Sequence, residues 1–367
     1  MKSITIVIPS LKAGGAEKVS INFANQLTLL GVNVDLISFS PQGEFSSHVF
    51  PNVNFVSFKS PKAISSLMPM LIYLILKQPE YVISNLRGSS KLIGLLLKLP
   101  FFPRTTFIIR EAGLYNEDPN LYFVRIANRW ILRFLYHSAH GFIANSRDTL
   151  ASFCEFGILS SSTRKVVIGN PVIPNNFNSI MRKPVNHPWL INKTSKVIVS
   201  AGRFASVKDF STLIYAFSIV RHTLPDTKLI LLGDGYQRPL LDSLISKLSL
   251  TKHVSLPGFK EDPCRYFFRS DLFVSTSLQE GFGNVIVEAL ACNTIVICSD
   301  CPGGPRDILQ NGQHGVLFPV GDSSALAQAI INQLQNPSLF SEAQVRSHQY
   351  KASTIALRYL NFISSLV

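Results

Sequence analysis

The sequence predicts an α/β protein made of two doubly wound, Rossmann-like units that face a cleft, and three observations carry that expectation. Short β-branched runs alternate with longer amphipathic stretches, the pattern of parallel strands joined by helical crossovers. The series runs twice along the chain, with a Pro- and Asn-rich stretch between the two runs. At 367 residues the chain is long enough for two units that each bury a core.

In the first series, strands are expected at 4–9, 33–39, 53–58, 81–85, 105–110 and 141–145. Helical stretches follow most of them, as in Ala16–Leu30, with Gly31 placed to stop it. Pro171, Pro174, Pro184 and Pro188 then break the pattern among several Asn residues. This predicts a first unit over 1–175, a linker over 176–194 and a second unit over 195–345. The second series places strands at 196–201, 228–232, 254–257, 272–276, 294–298 and 315–318. Ligands of such sheets bind beyond the carboxyl ends of the strands, so those loops carry the search for chemistry.

Composition narrows the class. Hydrophobic residues are 46% and charged residues 16%, which is globular and not disordered. The formal net charge is +13, and residues 1–175 hold +8 of it. Such a field attracts polyanions. Nucleic acid is not expected, because no zinc-finger spacing, RNA-binding aromatic signature or long basic run occurs. Lipid phosphates fit better, since the basic residues sit among apolar ones.

The β-branched start Ile4-Thr5-Ile6-Val7-Ile8 does not read as a secretion signal. The greasiest stretch, Leu67 to Leu76, holds Pro69 and falls short of the ~20 apolar residues of a membrane span. Together these predict a cytoplasmic protein that at most lies on a membrane. Cys154, Cys264, Cys292, Cys298 and Cys301 form no disulfide framework. Cys298 and Cys301 make a C-x-x-C, but zinc wants four ligands and no second pair is evident, so buried thiols at a strand end are expected.

In the second unit the strand at 196–201 runs into Gly202-Arg203-Phe204, and Lys208 opens the next helical stretch. Two cations at a strand end suit a diphosphate, although ordinary surface charges give the same pattern. The next strand ends in Gly233-Asp234-Gly235, where Arg238 stands in place of the third glycine of a dinucleotide fingerprint. A tight turn that brings backbone close to a ligand is the better reading.

The sharpest signal is Glu280-Gly281-Phe282-Gly283-Asn284, running on to Glu288. Its glycines permit close approach, and a helix starting near Asn284 aims N–H groups at whatever lies above it. One carboxylate can grip a sugar hydroxyl and the other a ribose diol, with phosphate between them. A capping loop plus a solvent Glu would leave the glycines unexplained. In the first unit, Gly14-Gly15-Ala16-Glu17 follows the first strand, which by itself is a common turn.

Taken in order, Gly14-Gly15-x-Glu17, Asn170-Pro171-Val172, Gly202-Arg203-x4-Lys208, Gly233-Asp234-Gly235, Gly258-Phe259 and Glu280-x7-Glu288 resemble family four of the retaining glycosyltransferases, of the bacterial surface-polysaccharide or glycolipid type. The resemblance covers about residues 3–320. It implies the GT-B fold, with an acceptor-binding first domain, a nucleotide-sugar-binding second domain and a last helix, about 346–367, that returns to the first. It further implies that Arg203 and Lys208 bind the donor diphosphate, Glu280 the transferred sugar and Glu288 the ribose. Gly202, Gly233 and Gly235 would line the donor site. Backbone at Phe282, Gly283 and Asn284 would meet sugar and phosphate, Gly258 and Phe259 would flank the base, and Gly15 and Glu17 would lie near donor phosphates and acceptor. Gly14 would lie on the acceptor side. Many relatives place a His after the strand equivalent to 105–110, where this chain has Arg110-Glu111. Either Glu111 takes a related role or the acceptor nearby differs.

A departing nucleotide diphosphate demands cations and N–H donors. No D-x-D pair occurs, so no metal and no cofactor are expected, with a UDP-sugar the commonest donor and a hexose or N-acetylhexosamine the group moved. Arg125, Arg129 and Arg133 recur every four residues with bulky apolar neighbours, as on one face of a helix. That stripe can meet lipid phosphates, each basic group being worth ~1 kcal/mol at an anionic surface. It can equally be a solvated face over a core-packing side. The expected acceptor is a polyprenyl-diphosphate-linked saccharide or glycolipid precursor at the inner face of the cytoplasmic membrane. Two other readings stay open: a GT-B-like nucleotide-sugar epimerase or hydrolase, and a non-catalytic nucleotide-sugar-binding protein on the membrane surface.

Overall fold

The computed structural model describes residues 3–11, 14–40, 43, 45–60, 64–115, 122–337 and 342–366, the side chains of 122–125 excepted. The chain divides into two compact units, one of Met1–Val172 with Ala352–Val367 and one of Ile173–Lys351.

Among the described residues, the first unit holds a parallel sheet of β1 (Ser3–Ile8), β2 (Asn33–Ser38), β3 (Asn54–Ser57), β4 (Tyr81–Asn85), β5 (Thr106–Glu111), β6 (Gly141–Ala144) and β7 (Arg164–Val167). Its order is β3-β2-β1-β4-β5-β6-β7, so the winding reverses between β1 and β4. The inner strands are buried on both faces, in keeping with their largely apolar sequences. Helices α1 (Gly15–Leu29), α2 (Leu67–Lys77), α3 (Arg87–Leu96), α4 (Tyr122–Tyr136) and α5 (Arg147–Glu155) connect them. Val7, Ile37, Val82 and Phe107 pack with Met70 and Leu74 of α2 and with Leu92 and Leu96 of α3. A second cluster joins Ile109 and Phe142 to Tyr136 and Phe153.

The second unit repeats the plan with β8 (Lys196–Ala201), β9 (Thr227–Leu232), β10 (Val254–Ser255), β11 (Leu272–Ser275), β12 (Ile295–Ser299) and β13 (Val316–Phe318) in the order β10-β9-β8-β11-β12-β13. Here the reversal lies between β8 and β11. Its helices are α6 (Phe177–Arg182), α7 (Pro188–Ile191), α8 (Phe210–Thr223), α9 (Arg238–Lys247), α10 (Cys264–Phe267), α11 (Asn284–Ala291), α12 (Pro305–Ile308), α13 (Ser323–Gln335) and α14 (Ala343–Ser347). Phe204, Phe210, Phe217, Leu229, Leu231, Ile330 and Phe318 form one core. Each such side chain contributes roughly 1.5–3 kcal/mol on burial.

The stretch expected to be a linker is folded instead. Residues 176–194 belong to the second unit and carry α6 and α7, with Phe177, Met181, Val185 and Leu190 buried. Pro188 sits in the first turn of α7, where the missing N–H costs nothing, and the His187 ring accepts the Trp189 N–H. Arg269 ties α6 down by donating to the carbonyls of Met181 and Arg182, at 3.2 and 3.0 Å.

The last helix, α15 (Ala352–Ser364), is part of the first unit. Its Tyr359 is fully buried with its ring centroid 4.4 Å from that of Phe23. Arg358 donates to the Val167 carbonyl at 3.0 Å, and Arg164 donates to that of Ser365. Among the described residues, no helix is long and apolar enough to cross a membrane.

Candidate active site

At the reversal point of the second sheet, the loops leaving β8 and β11 are laced together. The Thr276 hydroxyl donates to the Lys208 carbonyl at 3.0 Å, and the Leu278 N–H donates to the Val207 carbonyl at 2.8 Å. Lys208 ends a short 3-10 turn, Ser206–Lys208, and the left-handed Asp209 that follows caps α8 by accepting the Thr212 N–H. Backbone held this way aims the Lys208 ammonium at Glu280, to whose Oε1 it donates. Ser277 donates to the same oxygen at 2.7 Å. Glu280 is 7% exposed, so these two donors stand in for lost water.

Glu280 is set by a second loop from below. Its N–H donates to the Pro302 carbonyl at 3.0 Å, and a Cβ on Gly303 would lie 1.6 Å from the Glu280 carbonyl oxygen. A Cβ on Gly304 would lie 2.0 Å from that of Phe282. Gly303 also has φ +122°, outside the range side chains tolerate. The turn after β12 is thus in backbone contact with the Glu280–Gly283 loop, and Ser299 adds a hydrogen bond to the Ser277 carbonyl at 2.6 Å.

Gly283, with φ +98°, is the N-cap residue of α11 and supplies no side-chain cap to it. The positive end of the helix dipole therefore lies in the same loop as Glu280. Phe282 turns inward against Tyr350, ring centroids 5.4 Å apart, leaving its backbone in the loop. Glu288 lies one turn into α11 and is 7% exposed.

Glycines expected in the donor loops meet through their backbones. The Gly233 N–H donates to the Gly258 carbonyl at 3.0 Å, and a Cβ on Gly233 would lie 1.9 Å from the Gly202 oxygen. The Phe204 N–H donates to the Asp234 carbonyl at 2.8 Å, clasping the Gly-Asp-Gly turn onto the loop after β8. Arg203 is exposed beside this clasp, and so is Phe259 after Gly258. Arg203, Lys208, Glu280 and the start of α11 are therefore gathered at the carboxyl ends of β8 and β11. A separate cavity of about 500 Å³, lined by Lys193, Lys196, Asp226 and Asp271, opens at the amino ends of β8, β9 and β11, away from this cluster.

In the first unit, Glu17 lies in the opening turn of α1, and a Cβ on Gly14 would meet its Oε2 at 2.3 Å. The carboxylate thus folds back over the helix start, beside Gly15. Arg110 and Glu111 end β5 with both side chains buried. Arg110 directs its donors inside the unit, to Tyr359 at 2.7 Å and to Asn170 and Asn85. Glu111 accepts from the Tyr136 hydroxyl at 2.6 Å, with Arg87 at 3.9 Å. Burial pushes its carboxyl above the usual carboxylate range, against the pull of Tyr136 and Arg87.

The side chain of Arg125 lies outside the described residues. Arg129 covers the Phe156 ring at 4.9 Å and Arg133 the Trp130 ring at 5.7 Å. Cys298 and Cys301 are free, buried thiols at the end of β12, both pushed up chiefly by burial, Cys301 to about 11. Ser277, Gly303 and Gly304 were missed by sequence reasoning. The Gly-Gly pair after a strand was the available signal for two of them.

Two family models match in tandem, Glycosyltransferase Family 4 over residues 13–176 and Glycosyl transferases group 1 over residues 182–352. An N-acetylgalactosamine-N,N'-diacetylbacillosaminyl-diphospho-undecaprenol 4-alpha-N-acetylgalactosaminyltransferase of Campylobacter jejuni is 25% identical, covering 98% of this chain and 100% of that protein. The lipopolysaccharide core biosynthesis glycosyltransferase LpsE of Rhizobium meliloti is 33% identical over 46% of this chain and 50% of its own. Anabaena HepE, solved in complex with UDP, superposes with a TM-score of 0.79 at 22% identity over 100% of both chains, a likeness of fold. The two models follow one another along the chain and between them span nearly all of the sequence, so the chain belongs to family four of the glycosyltransferases and has the GT-B fold.

Proposed function

We propose that this glycosyltransferase moves a hexose or N-acetylhexosamine from a UDP-sugar onto a lipid-linked saccharide, with retention and without a metal ion. The observation that carries the proposal is the gathering of Arg203, Lys208, Glu280 and the amino end of α11 at the reversal point of the second sheet. Arg203, Lys208 and the helix end take the negative charge of the departing diphosphate, which is where catalysis of this step has to act. Glu280 accepts from hydroxyls of the transferred sugar, and Glu288 from the ribose diol. In the step itself the acceptor oxygen bonds to the anomeric carbon as the bond to the donor phosphate breaks. The acceptor proton passes to the leaving phosphate on the same face, which preserves configuration. With two cations in the loop and no D-x-D pair in the sequence, the charge is met by side chains.

The first unit is proposed to take the acceptor. The name of the Campylobacter relative describes an α-linked sugar placed on a diphospho-undecaprenol carrier, which supports a lipid-linked acceptor here. The first unit also exposes Trp130, Phe134 and Phe101, with Arg133 over Trp130 and Lys98 over Phe134 at 4.6 Å. Aromatic rings interleaved with cations suit an anionic membrane surface, and a peripheral position on the inner face follows from that reading. The test is a mass-spectrometric screen of nucleotide sugars against short polyprenyl-diphosphate-linked saccharides. A product heavier by one sugar supports transfer. Donor consumed at the same rate without any acceptor would favour an epimerase or hydrolase, and nucleotide binding without turnover a non-catalytic protein.

A further inference from the structure

Tyr236 stands two residues after Asp234, in the turn that leaves β9, and is 71% exposed. Its tip is nevertheless fixed. The hydroxyl accepts the Ser206 N–H at 2.9 Å and shares a hydrogen bond with the Ser206 hydroxyl, also at 2.9 Å. Ser206 opens the 3-10 turn that ends at Lys208, so the phenol is tied to the loop carrying Arg203 and Lys208. The turn itself is held against that loop. A Cβ on Gly235 would lie 2.5 Å from the Phe204 oxygen, and the Gln237 N–H donates to the same oxygen at 3.1 Å.

A second exposed ring, Phe259, leaves the neighbouring strand β10. The backbone segments that bear the two rings are joined by the Gly233 to Gly258 hydrogen bond. Neither ring is explained by packing, since most of each faces solvent. Tyr236 follows β9, the neighbour of the strand whose loop carries the cations, and Phe259 follows the edge strand β10. A nucleoside diphosphate has an aromatic base at one end and two phosphates at the other, and these neighbours match that order.

We propose that Tyr236 is a stacking and positioning residue for the base of the donor nucleotide. Its ring offers a face to the base, while its hydroxyl fixes Ser206 and with it the loop that meets the diphosphate. This rests on the donor-site reading above. Stacking needs only a π face, so the contribution is one of affinity and orientation, alike for pyrimidine and purine bases.

Calorimetric titration of UDP and of inorganic pyrophosphate into the full chain separates the two parts of the residue. Tyr236→Ala is expected to lower the UDP-to-pyrophosphate affinity ratio by about 10-fold, the usual strength of base–aromatic stacking. Tyr236→Phe keeps the ring and is expected to keep the ratio, weakening both ligands by about 3-fold through the lost hydrogen bonds. The exposed position leaves folding intact in both variants. An unchanged ratio in Tyr236→Ala, with the parent chain binding both ligands, overturns the role of Tyr236 alone. Binding of neither ligand by the parent chain overturns the donor site itself.

Discussion

Lys208 and Glu280, seventy-two residues apart in sequence, meet as an ion pair at the end of the second sheet, with Ser277 donating to the same carboxylate oxygen. The lysine side chain is 24% exposed and the glutamate 8%. Removing the lysine leaves a nearly buried carboxylate short of its cation, whereas Arg203 is exposed. Lys208→Ala is therefore expected to cost about 2 kcal/mol of stability, the worth of a hydrogen bond to a charged group. Arg203→Ala is expected to cost less than about 0.5 kcal/mol, as an exposed substitution. Thermal unfolding of the two variants checks the contrast.

Gly303 lies where a methyl group would overlap the Glu280 carbonyl. Gly303→Ala is expected to displace Glu280 and lower turnover by ~10²-fold, the penalty for a misplacement of about 1 Å. Gly321→Ala is the control, since Gly321 has φ +76° but nothing within 4 Å of a built Cβ. It carries only the backbone cost of ~1–2 kcal/mol in stability and should leave kcat unchanged. Equal losses of kcat in both variants would attribute the effect to backbone strain and not to Glu280.

Glu111 is buried, and its carboxyl is held above the usual range. The folded state therefore holds its proton to higher pH than the unfolded chain does. Stability from this group is greatest below the ordinary carboxylate pKa and declines as pH rises toward the folded value. Gln mimics the protonated form and still accepts from Tyr136. Glu111→Gln should thus gain stability relative to the parent chain as pH rises from about 4 to about 8, because only the parent has to place a charge in a buried site. Chemical denaturation at both pH values reads the difference. A parent chain that gains relative to the variant over that range would refute the assignment.

Much of this was legible in the chain. Strands buried on both faces, such as Lys196–Ala201 and Thr227–Leu232, write themselves as continuous apolar runs and stand out. The edge strand Arg164–Val167 did not, because it is short and opens with two exposed cations. The folded stretch 176–194 was hidden by its prolines, one of which starts a helix. At the site, Glu280, Lys208 and Arg203 were visible as residue types at strand ends. Their pairing was not, since a contact over seventy-two residues is set by strand order. Gly303 and Gly304 went unread, because their role lies in the space that the Glu280 and Phe282 carbonyls fill beside them, and a sequence does not show that space.

The central claim is that the second unit neutralises a departing nucleotide diphosphate with Arg203 and Lys208. Steady-state sugar transfer by Arg203→Ala and Lys208→Ala, each checked for folding, tests it most directly. The expected result is a fall in kcat of ~10²–10³ in each variant, the effect of losing one donor that acts in the transition state. Near-normal kcat in both would contradict it.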